Sequence, residues 1–416
     1  MTARTNNSML ADLRALPRAF WVLVIGVFIN RFGSFVYPFL TILLSRRGLP
    51  LSDVAMVIAG YGTGGLISAV AGGWFADRFG RRNTIVAGTL ANAAAVMTLY
   101  YAPNLPSLVL LTLCAGVFAG FYQPAAGALV ADLIPEERRL AAYAVLRQSA
   151  NAGFAFGTAA GGFLVSHSAF WLFAGDAITT ASYGFIALML LPHGLRHSSK
   201  QARWGEAIAR LRSDAGFWAL FASQFLCAFI FSQFASSFAL EITGRRIHIG
   251  PLQPEQVFGS LIGWNGTLVM LLELPITRVT QRFHPRRVMC LGYLLIGLGF
   301  ASNAFTSTLL GLVIGMTVFT MGEMLAMPMV STWVAYLAPE SMRGRYMGAL
   351  STSWNSAAMV GPLIGLRLFG FNPMALWLTC GGVGALSAAI MARWGESKGS
   401  HREKPETLAL EPADSA

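Results

Sequence analysis

Charged residues are scarce in this sequence. Only 12% of its 416 residues are Asp, Glu, Lys or Arg, whereas 55% are hydrophobic. Because soluble domains carry about 25% charged residues, this composition excludes an ordinary soluble protein and indicates a membrane protein.

Sequence motifs of soluble chemistry are also absent. We find no Walker A loop, no H-E-x-x-H sequence, no nucleophile elbow and no zinc-ligand spacing. The cysteines lie within apolar segments and fit neither a disulfide framework nor a metal site; they are Cys114, Cys227, Cys290 and Cys380. We therefore predict a protein that is not an enzyme and that binds no cofactor and no metal.

Long apolar segments are present throughout the chain. A bilayer-spanning helix needs about 20 mainly apolar residues. Twelve segments approach or exceed this length, at 19–44, 53–76, 83–102, 106–131, 140–165, 168–191, 217–240, 257–280, 287–306, 308–335, 343–368 and 373–393. The predicted fold class is therefore an all-α membrane protein with twelve transmembrane helices.

The two halves of the chain resemble each other. A shift of 204 residues places Pro328 on Pro124 and Asn355 on Asn151, since 328 − 124 and 355 − 151 are both 204. We predict two parallel six-helix bundles, a design in which the substrate site lies near the midplane between the repeats. The predicted domains are an N-terminal bundle at 1–192, a cytoplasmic linker at 193–216, a C-terminal bundle at 217–395 and a disordered tail at 396–416.

Lys and Arg residues concentrate in alternate loops. With both termini in the cytoplasm, the cytoplasmic loops and tails hold 23 of the 30 Lys and Arg residues, and the outer loops hold five. Because cytoplasmic loops of membrane proteins carry an excess of Lys and Arg, this bias predicts cytoplasmic termini. The loop positions of the basic residues also explain the net charge of +11 without a nucleic-acid partner.

A specific motif lies between the second and third segments, where the chain reads GWFADRFGRR from Gly73 to Arg82. It resembles the signature G-x-L-a-D-R-x-G-R-R of the major facilitator superfamily. The resemblance extends over essentially the whole chain and is strongest to the twelve-helix bacterial drug:proton antiporters. It implies a multi-pass protein of the bacterial inner (plasma) membrane.

The resemblance also implies a cytoplasmic latch that holds the two halves together when the protein opens outward. Its residues would be Gly73, Asp77, Arg78, Gly80, Arg81 and Arg82, with Asp132 as the partner at the end of the fourth helix. Alternatively, these arginines serve only to fix the topology.

Two departures separate the chain from the drug antiporters. Their fourth helix usually carries R-x-x-Q-G, which is absent here. Their fifth helix usually carries G-P-x-x-G-G, where this chain has Thr158 in place of proline, and the pattern appears instead in the eleventh helix from Gly361 to Gly365. Gly153, Gly157 and Gly161 recur every four residues and predict one close-packing helix face.

Polar residues at membrane depth are costly and often mark transport pathways. Asn30 and Ser34 share a face of the first helix with Tyr37, and Arg31 lies about 100° away. The sequence around Arg31 also resembles the E-R-F of proton-coupled oligopeptide transporters, with Asn30 in place of the glutamate. We predict that this group lines a cavity; the alternative for Arg31 is an ion pair inside the N-terminal half.

Glu323 lies near the middle of the tenth helix, before Pro328. A carboxyl group at this depth is cheaper in its neutral form, so it could take up and release a proton during transport. We predict that Glu323 couples transport to protons; the alternative is a glutamate hydrogen-bonded to a neighbouring helix.

Other candidates depend on the repeat and on neighbouring residues. Arg147 and Asn151 lie on one face of the fifth helix, and the repeat relates them to Ser351 and Asn355. We predict that they line the cavity. The alternative for Arg147 is that its side chain reaches the cytoplasmic surface.

Four further residues are secondary or stacking candidates. Trp264 and Trp354 adjoin Asn265 and Asn355 and are candidates for stacking on a substrate. We expect Asp176 to make a structural hydrogen bond, and Glu273 to pair with Arg278 or Arg282 or to line the inner vestibule.

Together these features predict a secondary active transporter that exports an amphipathic small molecule in exchange for protons by alternating access. Its partners would be the small-molecule substrate, protons and membrane lipid, and we expect a monomer. One alternative is a proton-coupled importer of a small peptide, sugar or organic acid. A non-transporting membrane sensor or scaffold is an alternative of another class.

Overall fold

Backbone N–H and C=O groups in a bilayer have no water to bind, so spanning segments form helices. The computed structural model describes residues 16–193, 210–244, 252–306, 308–338 and 342–394. Their α-helices are α1 (Arg18–Phe32), α2 (Val36–Arg46), α3 (Leu51–Phe79), α4 (Arg81–Tyr100), α5 (Leu105–Leu133), α6 (Glu136–His167), α7 (Ala169–Leu190), α8 (Ala215–Ser232), α9 (Ala239–Gly244), α10 (Pro254–Thr280), α11 (Pro285–Ala301), α12 (Leu309–Leu337), α13 (Arg343–Phe371) and α14 (Pro373–Trp394).

Nine segments of the described chain are long and apolar enough to cross a membrane. Three other long helices, α4, α6 and α13, are richer in polar residues and fall outside that set. They nevertheless pack among the nine: α4 against α5, α6 against α1, and α13 against α3. The predicted all-α membrane class is confirmed, and the number of twelve spanning helices stays a prediction.

We refer to helices α1–α7 as the N-half and to helices α8–α14 as the C-half. The main contacts between them join α3 to α13 and α6 to α10. The predicted domain limits remain a prediction, and positions 194–209 of the linker and the whole tail at 396–416 lie outside the described residues.

The first long segment of each half is interrupted, which the sequence analysis did not predict. In the N-half, α1 ends at Phe32 and α2 begins only at Val36. In the C-half, a π-helix at Phe234–Phe238 separates α8 from α9. Such interruptions need tertiary partners for the freed backbone groups and often occur at functional sites.

Glycine allows α6 to approach α1 closely. A Cβ atom on Gly157 would overlap the backbone of Phe32, and one on Gly153 would lie 2.6 Å from the carbonyl oxygen of Phe28. A Cβ on Gly161 would lie 2.8 Å from the ring of Phe39. The predicted close-packing face is therefore confirmed, and it packs against the interrupted segment.

Candidate functional site

A cavity of about 440 Å³, which we call the central cavity, lies between the two halves. Both interrupted segments contribute to its wall, through Tyr37 of α2 and Phe234 of the π-helix. Of the predicted site residues it brings together Arg31, Asn151, Asn265, Glu323 and Trp354.

Glu323 of α12 is the only carboxylate among the described residues that line the central cavity. Asn265 of α10 donates a hydrogen bond from Nδ2 to Glu323 Oε2 at 2.8 Å, and the same nitrogen lies 2.9 Å from Thr320 Oγ1. This contact fixes the carboxyl group toward the cavity rather than toward lipid. Arg31 is the only permanent cation in the same lining, so the cavity contains one guanidinium group from the N-half and one carboxyl group from the C-half.

Aromatic side chains form much of the remaining wall. The Trp354 and Phe231 ring centroids are 5.1 Å apart, and Trp354 Nε1 donates to Gln224 Oε1 at 3.1 Å. Tyr37 and Tyr61 stack with centroids 4.2 Å apart. Large rings provide apolar contact area at defined orientations.

Trp264 is not among the residues that line the central cavity, which does not support it as a stacking candidate there. Its side chain is 41% exposed, and Nε1 donates to Thr317 Oγ1 on the neighbouring α12 at 3.0 Å. The local sequence does not show which of Trp264 and Asn265 faces the cavity, because side chains of consecutive helix residues point about 100° apart.

A second cavity, of about 280 Å³, lies within the N-half, and we call it the N-half cavity. Asn30, Arg31, Ser34 and Asp176 line it, and Asn355 of α13 reaches it from the other half. Arg31 and the two stacked tyrosines line both cavities, so they form the wall between them. The Arg31 guanidinium lies 5.9 Å from the ring centroid of Tyr122 and makes no ion pair among the described residues.

Asp176 binds the start of α2. Its Oδ2 accepts a hydrogen bond from the Val36 N–H at 3.0 Å, and Thr180 Oγ1 donates to Oδ1 at 3.4 Å. Asn30 Nδ2 in turn donates to Thr180 Oγ1 at 3.4 Å. These are the structural hydrogen bonds expected of Asp176, and the carboxyl group also faces the N-half cavity.

Glu273 and Arg147 form an ion pair between the halves. The distance from Arg147 Nη1 to Glu273 Oε1 is 2.5 Å, and Gln148 Nε2 donates to Glu273 Oε2 at 3.2 Å. The expected pairing of Glu273 with Arg278 or Arg282 is therefore wrong, because the carboxylate faces α6 rather than the end of its own helix. Neither residue lines the central cavity, which corrects the prediction for Arg147.

The predicted latch residues lie together at the turn between α3 and α4. Arg81 bridges two carboxylates: its Nη1 is 2.5 Å from Asp77 Oδ1, and its Nε is 3.7 Å from Asp132 Oδ2. Gly80 adopts a φ of +90°, which favours glycine. Arg78 stacks over Trp74 at 5.5 Å, and Arg82 Nη2 lies 2.7 Å from His193 Nε2.

These contacts differ from the expected latch in one respect. Asp77, Arg81 and Asp132 all belong to the N-half, so the ion pairs described here join α3, α4 and α5 to one another rather than the two halves. Gly73 is not at a close helix contact: a Cβ atom added there would have no neighbouring atom within 4 Å.

The opposite end of the bundle carries further contacts between the halves. Arg46 pairs with the buried Glu255 at the start of α10. Thr41 Oγ1 donates to the carbonyl oxygen of Ala235 at 2.6 Å, and Gln256 Nε2 donates to Ser166 Oγ at 3.1 Å. These contacts were not predicted from the sequence, since nothing in either local sequence indicates a partner on the other half.

Comparison with known proteins is consistent with this architecture. A family model described as "Major Facilitator Superfamily" matches residues 23–253 and 238–415. The "Na(+), Li(+), K(+)/H(+) antiporter" of Planococcus maritimus is 28% identical over 388 residues, covering 85% of this chain and 88% of that protein. "Multidrug resistance protein MdtH" of Aeromonas salmonicida is 26% identical over 335 residues, covering 77% and 81%.

Solved structures show the same fold. A crystal structure of the nucleoside transporter NupG aligns with a TM-score of 0.76 at 15% identity, covering 90% of this chain and 99% of that one. A crystal structure of a mutant of the peptide transporter POT, in complex with sulfate, aligns with a TM-score of 0.74 at 18% identity, covering 90% and 94%. The chain is a multi-pass membrane transporter rather than an enzyme, and it belongs to the Major Facilitator Superfamily.

Proposed function

We propose that this transporter exports amphipathic, cationic small molecules from the bacterial cytoplasm in exchange for protons. The observation that carries the proposal is Glu323, the single carboxylate that the described residues place in an aromatic cavity between the halves. A proton and a cationic substrate compete for such a group, because each neutralises the same negative charge. That competition is what antiport requires.

The surroundings of Glu323 suit this role. Asn265 holds the carboxyl group in place, and Trp354 and Phe231 supply ring surfaces beside it. Aromatic faces attract cations as well as apolar groups. The names of the multidrug-resistance and cation/H⁺ antiporter relatives support export and proton exchange.

Whole cells provide the direct test. Cells that express the transporter should accumulate less of a fluorescent cationic dye than cells that carry the empty vector. An uncoupler should abolish the difference. Equal accumulation in both strains, or a difference that survives the uncoupler, would contradict proton-driven export.

A second candidate function rests on the opposite charges of the central cavity. Arg31 and Glu323 could hold the carboxylate and the ammonium group of a zwitterion, such as a small peptide that is imported with protons. In this case a zwitterionic peptide, rather than a cationic dye, should protect a single cysteine placed at Asn151 from alkylation in a cysteine-free background.

We further propose that the end of the bundle at Gly80 faces the cytoplasm of a bacterial inner membrane, with both termini on that side. The transporter would then work as a monomer on a small molecule and protons, surrounded by lipid and with no nucleic-acid partner. This orientation follows the distribution of Lys and Arg.

Cysteine labelling tests the orientation. In a cysteine-free background, a cysteine at Asn104, between α4 and α5, should react with an impermeant reagent from outside intact cells. A cysteine at Ser198 should react only after the cells are opened. The reverse pattern would contradict the proposed orientation.

The Arg81 bridge gives a further prediction. Asp77→Asn and Asp132→Asn should each slow transport, while insertion and expression stay unchanged, because both side chains are partly exposed at one end of the bundle. Since both carboxylates contact the same guanidinium, the two effects should be non-additive in a double-mutant cycle of transport rates. Independent, additive losses would exclude a shared role through Arg81.

A further inference from the structure

A second buried carboxyl group has no part in the proposed exchange at Glu323. Asp176 is only 5% exposed, and its carboxyl group lies in the N-half cavity. Its hydrogen-bond donors are neutral, namely the backbone N–H groups of Phe35 and Val36 and the Thr180 hydroxyl, and it forms no ion pair among the described residues. A buried carboxylate without a paired cation is costly, and proton uptake removes that cost.

The N-half cavity is polar enough to bring a proton to this group. Asn92 lines it, is only 9% exposed, and its Oδ1 has no hydrogen-bond partner in the described chain. Buried amide oxygens are nearly always satisfied, so this atom indicates a water molecule or a donor in the cavity. The 280 Å³ of space exceeds the roughly 30 Å³ that one water occupies in the liquid.

The charged and titratable side chains around Asp176 come from several helices. Those that line the cavity with it are Arg31 of α1, Tyr37 of α2, Tyr61 of α3 and Tyr122 of α5. The helix packed most extensively on α7, α4, contributes the uncharged Thr89 and Asn92. Arg31 is thus the one permanent charge in the described lining.

Protonation of Asp176 would act on residues 33–35, which connect α1 to α2 and which we call the joint. The first N–H groups of a helix have no acceptor within the helix, and the partial positive charge there favours an anion. Ionised Asp176 supplies that anion at Val36. A neutral carboxyl group accepts a weaker hydrogen bond, so proton binding weakens the attachment of α2 to α7.

The joint is connected to the substrate site through Arg31. Arg31 lies two residues before Gly33, the C-cap residue of α1, and it lines both cavities. A Cβ on Gly33 would overlap the side chain of Thr179, so α7 packs directly on the joint. We therefore expect a shift of the joint to change how Arg31 faces the central cavity.

We propose that Asp176 is a second proton-binding site, inside the N-half cavity, and that its protonation loosens the joint between α1 and α2. This inference rests on the proposed proton coupling and adds to it a proton in the N-half, separated from Glu323 by the wall of Arg31, Tyr37 and Tyr61.

Infrared difference spectroscopy of the purified full chain tests the site. Between neutral and mildly acidic pH, the wild type should show protonation bands from two buried carboxyl groups. Asp176→Asn should remove one band, and Glu323→Gln should remove the other. The matched control Glu255→Gln removes a buried carboxyl group that is paired with Arg46, and it should remove neither band. Thr180→Val keeps the Asp176 carboxyl group and should move the midpoint of its band without deleting it.

The outcomes separate the two proposals. If the folded Asp176→Asn variant shows both bands of the wild type, Asp176 is not a proton-binding site. The proposal of proton coupling at Glu323 would not be affected. Loss of a band in Asp176→Asn but not in Glu323→Gln would keep this inference and contradict proton coupling at Glu323. A band that responds to Na⁺ at constant pH, and not to pH, would make Asp176 an alkali-cation site and overturn the proton assignment.

Hydrogen exchange tests the effect on the joint. At neutral pH, peptides that contain residues 33–36 should exchange several-fold faster in Asp176→Asn than in the wild type, because the ionised acceptor is gone. At acidic pH the two proteins should exchange alike. Equal exchange at neutral pH would contradict the coupling between Asp176 and the joint.

Discussion

Glu323→Gln should abolish proton-driven transport. Glutamine keeps the shape of the side chain and its contact with Asn265, but it cannot gain or lose a proton. We expect dye efflux from energised vesicles to fall to the level of protein-free vesicles. Substrate exchange without a proton gradient should remain measurable and should lose the part of its pH dependence that Glu323 contributes.

A matched variant controls for the chemical change itself. Asp53→Asn makes the same substitution of amide for carboxylate in the first turn of α3, outside both cavities. It should leave the pH dependence of efflux unchanged. If Glu323→Gln transports with the wild-type pH dependence, Glu323 is a structural residue, and Asp176 and Glu273 become the carboxylates to test.

Charge reversal at the ion pair between α6 and α10 should have the second large effect. Arg147→Glu places a second carboxylate beside Glu273, which is only 3% exposed, and Glu273→Arg places two guanidinium groups together. Each single change should lower the transport rate by at least about tenfold, which corresponds to about 1.4 kcal/mol. The double variant restores opposite charges and should recover much of that loss.

The position of the Arg147–Glu273 pair explains why its loss should lower the transport rate although one partner is exposed. Arg147 is partly exposed, but it meets a buried carboxylate on the other half, so an uncompensated charge would remain at the interface. Arg282→Glu is the control, because it reverses an exposed charge at the same end of the bundle. It should change transport little. Failure of the double variant to improve on either single variant would show that the pair does not act as a unit.

Sequence patterns predicted the parts of this protein that depend on composition and spacing. The apolar segments, the Gly73–Arg82 signature and the four-residue glycine spacing each depend on residues that are close in sequence. The helix period converts such spacing directly into a shared face, as with Gly153, Gly157 and Gly161. Glu323 also belongs to this group, since a carboxylate in an apolar segment is unusual wherever its partners lie.

Pairings over long sequence distances were not predicted in this way. Glu273 meets Arg147, 126 residues away, although two arginines lie within ten residues of it on its own chain segment. Arg46 and Glu255 are 209 residues apart, and neither belongs to a motif. The interruptions at Gly33 and Phe234 were also missed, because both lie within continuous apolar runs.

The sequence by itself therefore determined the membrane class, the superfamily signature and the polar and charged residues that lie within apolar segments. Only the tertiary structure decided which of these residues share a cavity, that Trp264 lies outside it, and that Arg81 bridges carboxylates within one half. The physical reason is that the bilayer acts on each segment separately, through its hydropathy and its need for internal hydrogen bonds. The choice of partner for a side chain depends instead on which helix faces meet.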